Sequence, residues 1–202
     1  MARKTIITVA TTGAWPKNIY YPQISTEEVS VLKKKYSDGN FGTVENNATL
    51  SEIHFLSNMF QATAQRRYRK AAEEGIQFLL NAQYQNGGWP LSFPATTDRE
   101  ACITFENDVM VNILQLLNRI IQKSEPYSYL SDDIRKRAQD AFNKGVACIL
   151  NAQICQEGKP TVWCSRHHQE TLAPACGDVA ELPSLSSNHS SSIVLFLMGI
   201  VD

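Results

Sequence analysis

The chain has no apolar run long enough to cross a bilayer: the longest, residues 193–201, falls far short of the roughly 20 residues a spanning helix needs. Nor does it have an excess of one charge. With a formal net charge of −1 and a pI near 6.4, it lacks the polycation signature of a protein whose main work is binding nucleic acid or an anionic membrane. Cysteine is present without forming a framework. Cys102, Cys148, Cys155, Cys164 and Cys176 are odd in number and irregularly spaced, which argues against a disulfide scaffold. Cys148 falls on the apolar face of a helical pattern and reads as a small core residue. Cys164 and Cys176 flank His167 and His168, but these spacings match none of the usual zinc pairs, so packing or a loop disulfide is expected ahead of a metal. Arg3-Lys4 before residues 5–10 has the outline of a signal peptide. Its apolar part is too short and too Thr-rich, and a short strand over residues 6–9 is expected instead, making residues 1–12 an atypical N-terminal segment.

Tryptophan is scarce, and its placement is informative. Trp15, Trp89 and Trp163 are the only tryptophans, and consecutive ones lie 74 residues apart. Each sits in a loop-like setting: Gly13-Ala14-Trp15-Pro16, Gly87-Gly88-Trp89-Pro90 and Pro160-Thr161-Val162-Trp163. The segments before the last two also echo each other at an offset of 70, with Ala71, Gly75, Leu80, Asn81, Ala82 and Gln83 matching Ala141, Gly145, Leu150, Asn151, Ala152 and Gln153. Such self-similarity marks repeated helix pairs, each ending in a loop that presents a tryptophan. At 202 residues the whole fits a single domain over residues 1–202 with a substantial core.

Local signals place the elements. Ser25 as N-cap with Glu28 at the third helical position opens a helix to about residue 35, and Asp38-Gly39-Asn40 breaks it. From Leu50, apolar residues at helical spacing give a second helix, with Thr49 or Ser51 as cap; a third covers residues 65–83 and ends at the Gly-Gly-Trp-Pro loop. Residues 109–121 form a strongly apolar inner helix, and Ser131 caps another that runs to about residue 154. A last helix spans residues 192–201; Thr161-Val162-Trp163 is the one later stretch that reads as a strand. The expected class is therefore mainly α: an α/α toroid, or incomplete barrel, of antiparallel helix pairs with an active face of loops at one end.

Several motifs carry a family resemblance. Ala82-Gln83-Tyr84-Gln85-Asn86-Gly87-Gly88-Trp89-Pro90, Asn46-Asn47-Ala48-Thr49 leading into Ile53-His54-Phe55-Leu56, and Glu181-Leu182-Pro183-Ser184-Leu185-Ser186 together resemble the pectate lyases of polysaccharide lyase family ten. Trp15-Pro16-Lys17-Asn18, Ile103-Thr104-Phe105 and Ile193-Val194-Leu195-Phe196-Leu197-Met198 follow the same order, so the resemblance covers about residues 13–200. It implies an α/α toroid, secretion or residence in the periplasm although no signal peptide is seen, and calcium-assisted β-elimination of polygalacturonate, an acidic polysaccharide. In that reaction a base takes the C5 proton of a uronate, and calcium with basic side chains stabilises the negative charge that spreads onto the neighbouring carboxyl group. The base implied by the resemblance is an arginine. The family also extends well past the final Phe-Leu-Met helix.

The sequence departs from that pattern at its polar positions. Asp178 stands where the family has its arginine, reversing the charge; Arg166 is the nearby basic residue that is a candidate to substitute. Glu45-Asn46 replaces an aspartate followed by asparagine, Glu106-Asn107-Asp108 replaces an Asn-Asp-Asn order, His168 replaces an aspartate, His189 a glutamate and Leu195 an arginine. Glu45, Asn107 and Asp108 are the candidate calcium ligands, with less charge and so weaker binding than the family pattern. Lys17, Asn46 and Trp89 are the candidate substrate contacts, Trp89 set against a packing role. His167 with His168 is a candidate general base set against a surface role. Two functional readings follow: a lyase of altered or impaired chemistry, or a pectate-binding pseudoenzyme or structural remnant that does not cleave.

Overall fold

The computed structural model describes residues 13–21, 23–36, 42–175 and 185–201. The strand expected over residues 6–9, the break at residues 38–40 and Asp178 lie outside them. Helix α1, Thr26–Tyr36, begins at the reciprocal cap read from the sequence. The Glu28 amide donates to Ser25 Oγ (3.1 Å) and the Ser25 amide donates to Glu28 Oε2 (2.7 Å). A 3₁₀ turn at Glu45–Asn47 leads into α2, Leu50–Thr63, which reverses at Ala64 (φ 54°) into α3, Arg66–Ala82. After the short α4, Asp98–Ala101, and strand β1, Ile103–Thr104, a second 3₁₀ turn at Glu106–Asp108 leads into α5, Val109–Ile121. Helix α6, Asp132–Asn151, starts at Ser131, whose Oγ accepts the Ile134 amide (3.3 Å) as expected of an N-cap.

Three expectations change. Thr49 does not cap α2: its buried hydroxyl donates to Thr43 O (2.8 Å) and accepts the Trp15 amide (3.1 Å), which ties the first tryptophan loop to the start of the helix. Residues 161–163 are not a sheet strand. The strands there are β2, Cys155–Gln156, and β3, Lys159–Pro160, paired antiparallel, with residues 161–163 running on beside Ile154 through Thr161 N–H to Ile154 O (2.8 Å) and Ile154 N–H to Val162 O (2.9 Å). The last helix, α7, is Ser187–Val201 and so starts earlier than its apolar residues indicate. Its polar first turn gives no periodic signal. There Ser190 Oγ donates to Ser186 O and accepts the Trp163 amide (3.1 Å), so these serines bond locally and to the third tryptophan loop.

Helices α2 and α3 pack as one pair and α5 and α6 as another; α2 touches α5 and α3 touches α6. The loops at one end are joined. Strand β4, Arg166–His167, pairs antiparallel with β1, setting Ile103 opposite His167 and Thr104 opposite Arg166, and single bridges link Thr43 with Ser92 and Pro90 with Ile103. Helix α7 lies against the second turn and α5, with Val194, Leu195 and Met198 facing outward. The architecture is the mainly α, incomplete α/α toroid expected from the sequence. Among the described residues no helix is long and apolar enough to cross a membrane.

The equal spacing of the tryptophans has a packing cause. All three indoles are buried. A Cβ on Gly75 would lie 2.7 Å from Ile53 Cγ1 and 2.8 Å from Trp15 Cζ3; one on Gly145 would lie 2.6 Å from Leu114 Cδ2 and 3.0 Å from Trp89 Cζ3. Trp15 and Trp89 thus each press, beside a residue of the inner helix, onto a glycine of the outer helix of a pair. Gly13 (φ 89°) and Gly87 (φ 93°) make the loop's approach possible, since a Cβ there would fall 2.4 Å from Glu74 O and 2.0 Å from Lys144 O. The indoles also satisfy helix ends: Trp89 Nε1 donates to Leu79 O (2.8 Å) and Trp163 Nε1 to Ile149 O (2.7 Å), carbonyls in the last turns of α3 and α6. Gly145→Ala is expected to destabilise the protein by about 1–3 kcal/mol through overpacking. Gly199→Ala, where a Cβ meets nothing within 4 Å in α7, should gain up to about 1 kcal/mol of helix propensity. Urea unfolding of both variants beside the parent checks the pair, and equal midpoints would sink the packing account.

Candidate functional site

The two 3₁₀ turns are built alike. Asn46 (φ 54°), Asn47 (φ 59°), Asn107 (φ 52°) and Asp108 (φ 57°) all take left-handed backbone angles, which Asn and Asp tolerate better than other residues with a Cβ. Each turn opens with a glutamate and delivers the chain into the inner helix of a pair. The turns are linked across the repeat by Asn112 of α5, whose Nδ2 donates to Asn47 Oδ1 (2.9 Å). This frame brings Lys17, Asn18, Glu45 and Asn46 together: Lys17 Nζ pairs with Glu45 Oε2, and Asn46 Nδ2 donates to Asn18 Oδ1 (3.0 Å). The Lys17 charge also reaches Glu100 of α4. Burial pushes the Glu100 carboxyl up, but donors from Thr96 and Thr97, together with Lys17, more than offset it and hold the group below its ordinary value.

Arg166 sits on the other turn. Its guanidinium pairs with Glu106 Oε2, with the arginine side chain 3% exposed and the glutamate 32%. A base must release its proton and reach the substrate; a guanidinium buried against a carboxylate does neither, so Arg166 is corrected from a candidate catalytic substitute to a structural ion pair. Trp89 is likewise corrected: with no exposed surface it has no face to offer a sugar ring. His167 is buried and uses both ring nitrogens internally, Nε2 accepting the Cys164 amide (3.2 Å) and Nδ1–H donating to Leu172 O (2.8 Å). Burial lowers its pKa more than these bonds raise it. It is a neutral packing residue rather than a general base. Exposed His168 accepts the amides of Glu170 (3.2 Å) and Thr171 (3.4 Å) at Nδ1, the acceptor's part that an aspartate plays in such a turn.

Calcium favours several carboxylate and carbonyl oxygens converging at once. Of the candidate ligands, Glu45 has its carboxylate engaged by Lys17, Asn107 offers a single amide oxygen, and Asp108 has no ion pair among the described residues. Among the described residues no three His, Cys, Asp or Glu side chains converge. As folded, this donor set does not fit calcium.

Two groups at this face escaped the sequence reading. Glu106 is signalled by the recurrence of Glu-Asn-Asn and Glu-Asn-Asp before α2 and α5. Glu52 is signalled only by its place three residues after Thr49. Its carboxyl accepts the Glu52 and Thr49 amides, yet burial outweighs these bonds and raises the pKa to about 7, and Oε2 is buried without a hydrogen-bond partner among the described residues.

The sequence profile of the family described as pectic acid lyase matches residues 9–201. Two solved structures resemble the fold: a family 10 polysaccharide lyase from Cellvibrio cellulosa, and a point mutant of that lyase in complex with trigalaturonic acid. Each superposes with a TM-score of 0.84 at 30% sequence identity over 98% of this chain. The chain spans 60% of the length of the first and 61% of the second. No curated protein matches the chain.

The raised pKa of Glu52 makes stability depend on pH. A carboxyl whose folded pKa of about 7 exceeds its ordinary 4.5 binds its proton more tightly when folded. That stability is fully present below pH 4.5 and is lost as pH rises through 7. Glu52→Gln removes the effect, so relative to the parent it should gain up to about 3 kcal/mol between pH 5 and pH 8, less whatever partial exposure screens. Urea unfolding across that range reads the difference; a parent that gains on the variant toward alkaline pH contradicts it.

Proposed function

We propose that this chain, which belongs to the pectic acid lyase family, binds acidic polysaccharide of the polygalacturonate class on its loop face and does not carry out calcium-assisted β-elimination there. The observation that carries the reading is the contrasting fate of the two basic side chains at the 3₁₀ turns. Lys17 is 42% exposed, and an exposed ion pair of its kind is worth only about 0–1 kcal/mol. A uronate carboxylate can therefore take the place of Glu45 at little cost, with Asn18 and Asn46 beside it to meet sugar hydroxyls. Arg166 is held the other way. Its guanidinium is buried against a half-buried carboxylate, and stranding such a charge costs up to about 3–5 kcal/mol, so it stays with Glu106 and supplies neither a base nor a clamp for the substrate. With Asp178 at the position where the resemblance calls for arginine, proton abstraction at C5 has no basic group assigned to it, while charge recognition through Lys17 remains.

Affinity electrophoresis in a polygalacturonate gel, with and without calcium, should retard the parent equally in both. Lys17→Ala should lose most of that retardation. Unretarded migration of the parent would overturn the binding reading. Incubation with polygalacturonate and calcium from neutral to alkaline pH should give no rise in the ultraviolet absorbance of unsaturated uronides. A rise would restore the enzymatic reading, and a rise seen only in Asp178→Arg combined with Asn107→Asp would show that the frame keeps the capacity and lacks only the charges.

A further inference from the structure

Next to the Lys17–Glu45 pair, at the N-terminal end of α2, opens a cavity of about 380 Å³ whose lining includes Asn18, Tyr20, Asn46 and Ser51. It adjoins that pair on both segments, since Asn18 follows Lys17 and Asn46 follows Glu45. The two asparagines are exposed and only half satisfied by each other. Asn18 Oδ1 accepts Asn46 Nδ2 (3.0 Å), and beyond that bond neither the Asn18 amide N–H groups nor the Asn46 amide oxygen has a partner among the described residues. Exposed Ser51 gives its hydroxyl proton to Asn47 O (2.5 Å) and keeps its lone pairs for an outside donor.

Tyr20 supplies the apolar part. At 65% exposure it is the most open aromatic ring among the described residues, whereas Trp89 is withdrawn into the core. It also lines a second cavity of about 570 Å³ that continues to α1, so it forms part of both walls. Its backbone is fixed although its ring is open: Tyr21 beside it is buried, Ile19 packs against the core, and the Gln23 amide donates to Tyr20 O (3.1 Å). A rigidly mounted tyrosine offers contact area at little entropic cost. A sugar ring matches these parts, since its C–H edges carry the partial positive charge that an aromatic face attracts and its hydroxyls both donate and accept.

We propose that Tyr20, with Asn18 and Asn46, forms a second subsite for the sugar ring next to the galacturonate held by Lys17, with Tyr20 stacking on that ring and the two amides reading its hydroxyls. Consecutive Cα atoms lie about 3.8 Å apart, which puts the asparagine pair about one ring from the Lys17–Glu45 pair. The inference rests on the reading of the Lys17 face as a pectate contact. It adds that affinity follows chain length, with a step between one ring and two.

Amide chemical-shift titration with galacturonate and digalacturonate tests it, since it reads weak binding and reports the fold of each variant in the same spectra. The parent should bind digalacturonate about tenfold more tightly than galacturonate. Tyr20→Ala should bring that ratio to near one by weakening digalacturonate, and Tyr20→Phe should keep it, because the ring rather than the hydroxyl makes the contact. Equal affinities of the parent for the two sugars overturn the subsite and leave the Lys17 reading standing. A ratio that survives Tyr20→Ala, or a loss that falls equally on both sugars, overturns the assignment of the second ring to Tyr20. Binding of neither sugar overturns the Lys17 reading and the subsite with it.

Discussion

The fold depends on one contact used twice: an indole set against a glycine of the outer helix where the inner helix crosses it. Trp15 meets Gly75 beside Ile53, and Trp89 meets Gly145 beside Leu114. No side chain larger than hydrogen fits between the three surfaces, so loop, inner helix and outer helix are fixed together. Close-packed interiors transmit such constraints because displacing any one surface opens a gap or forces an overlap. The indole N–H groups of Trp89 and Trp163 add direction, each ending on a carbonyl of the last turn of an outer helix. A buried donor without that carbonyl, or a carbonyl without that donor, would carry an unmet desolvation cost.

That packing sets the loop face. Since the helices are fixed, the turns that feed the inner helices must double back within three residues, and they do so through consecutive left-handed Asn and Asp residues. A glutamate opens each turn, and a cation distant in sequence closes on it: Lys17 on the first, Arg166 of β4 on the second. The pairs are alike in chemistry and opposite in availability. Burial separates them, because a lysine at the rim exchanges partners freely whereas a buried arginine of β4 cannot leave without stranding a charge.

Much of this is legible in the amino-acid sequence. The tryptophan spacing and the echo at residues 71–83 and 141–153 report the repeated helix pairs, since each repeat needs the same small residue under the same large one. Caps at Ser25 and Ser131 are local and were readable as such. What was not legible is non-local. Nothing near Thr49 in sequence shows that its hydroxyl is taken by Thr43 and Trp15, and no short-range signal joins Arg166 to Glu106 across 60 residues. Trp89 reads as a plug ahead of a sugar platform from its loop alone, and its burial decides for the plug. The start of α7 was missed because its first turn is polar and its serines bond to backbone rather than displaying a periodic face.

The polar positions of these turns share a physical logic. His168 gives its turn a ring-nitrogen acceptor for two amides, and Asn46, Asn47, Asn107 and Asp108 hold the left-handed backbone, so the geometry rests on acceptors and on tolerance of positive φ rather than on charge. The frame needs small polar residues that tolerate positive φ and acceptors that satisfy loop amides; it does not need a carboxylate cage or an exposed arginine. Packing and chemistry therefore draw on separable properties of the same positions. The constraints that shape the face are therefore independent of the charges its turns carry, and of the two cations paired to those turns Lys17 is the accessible one.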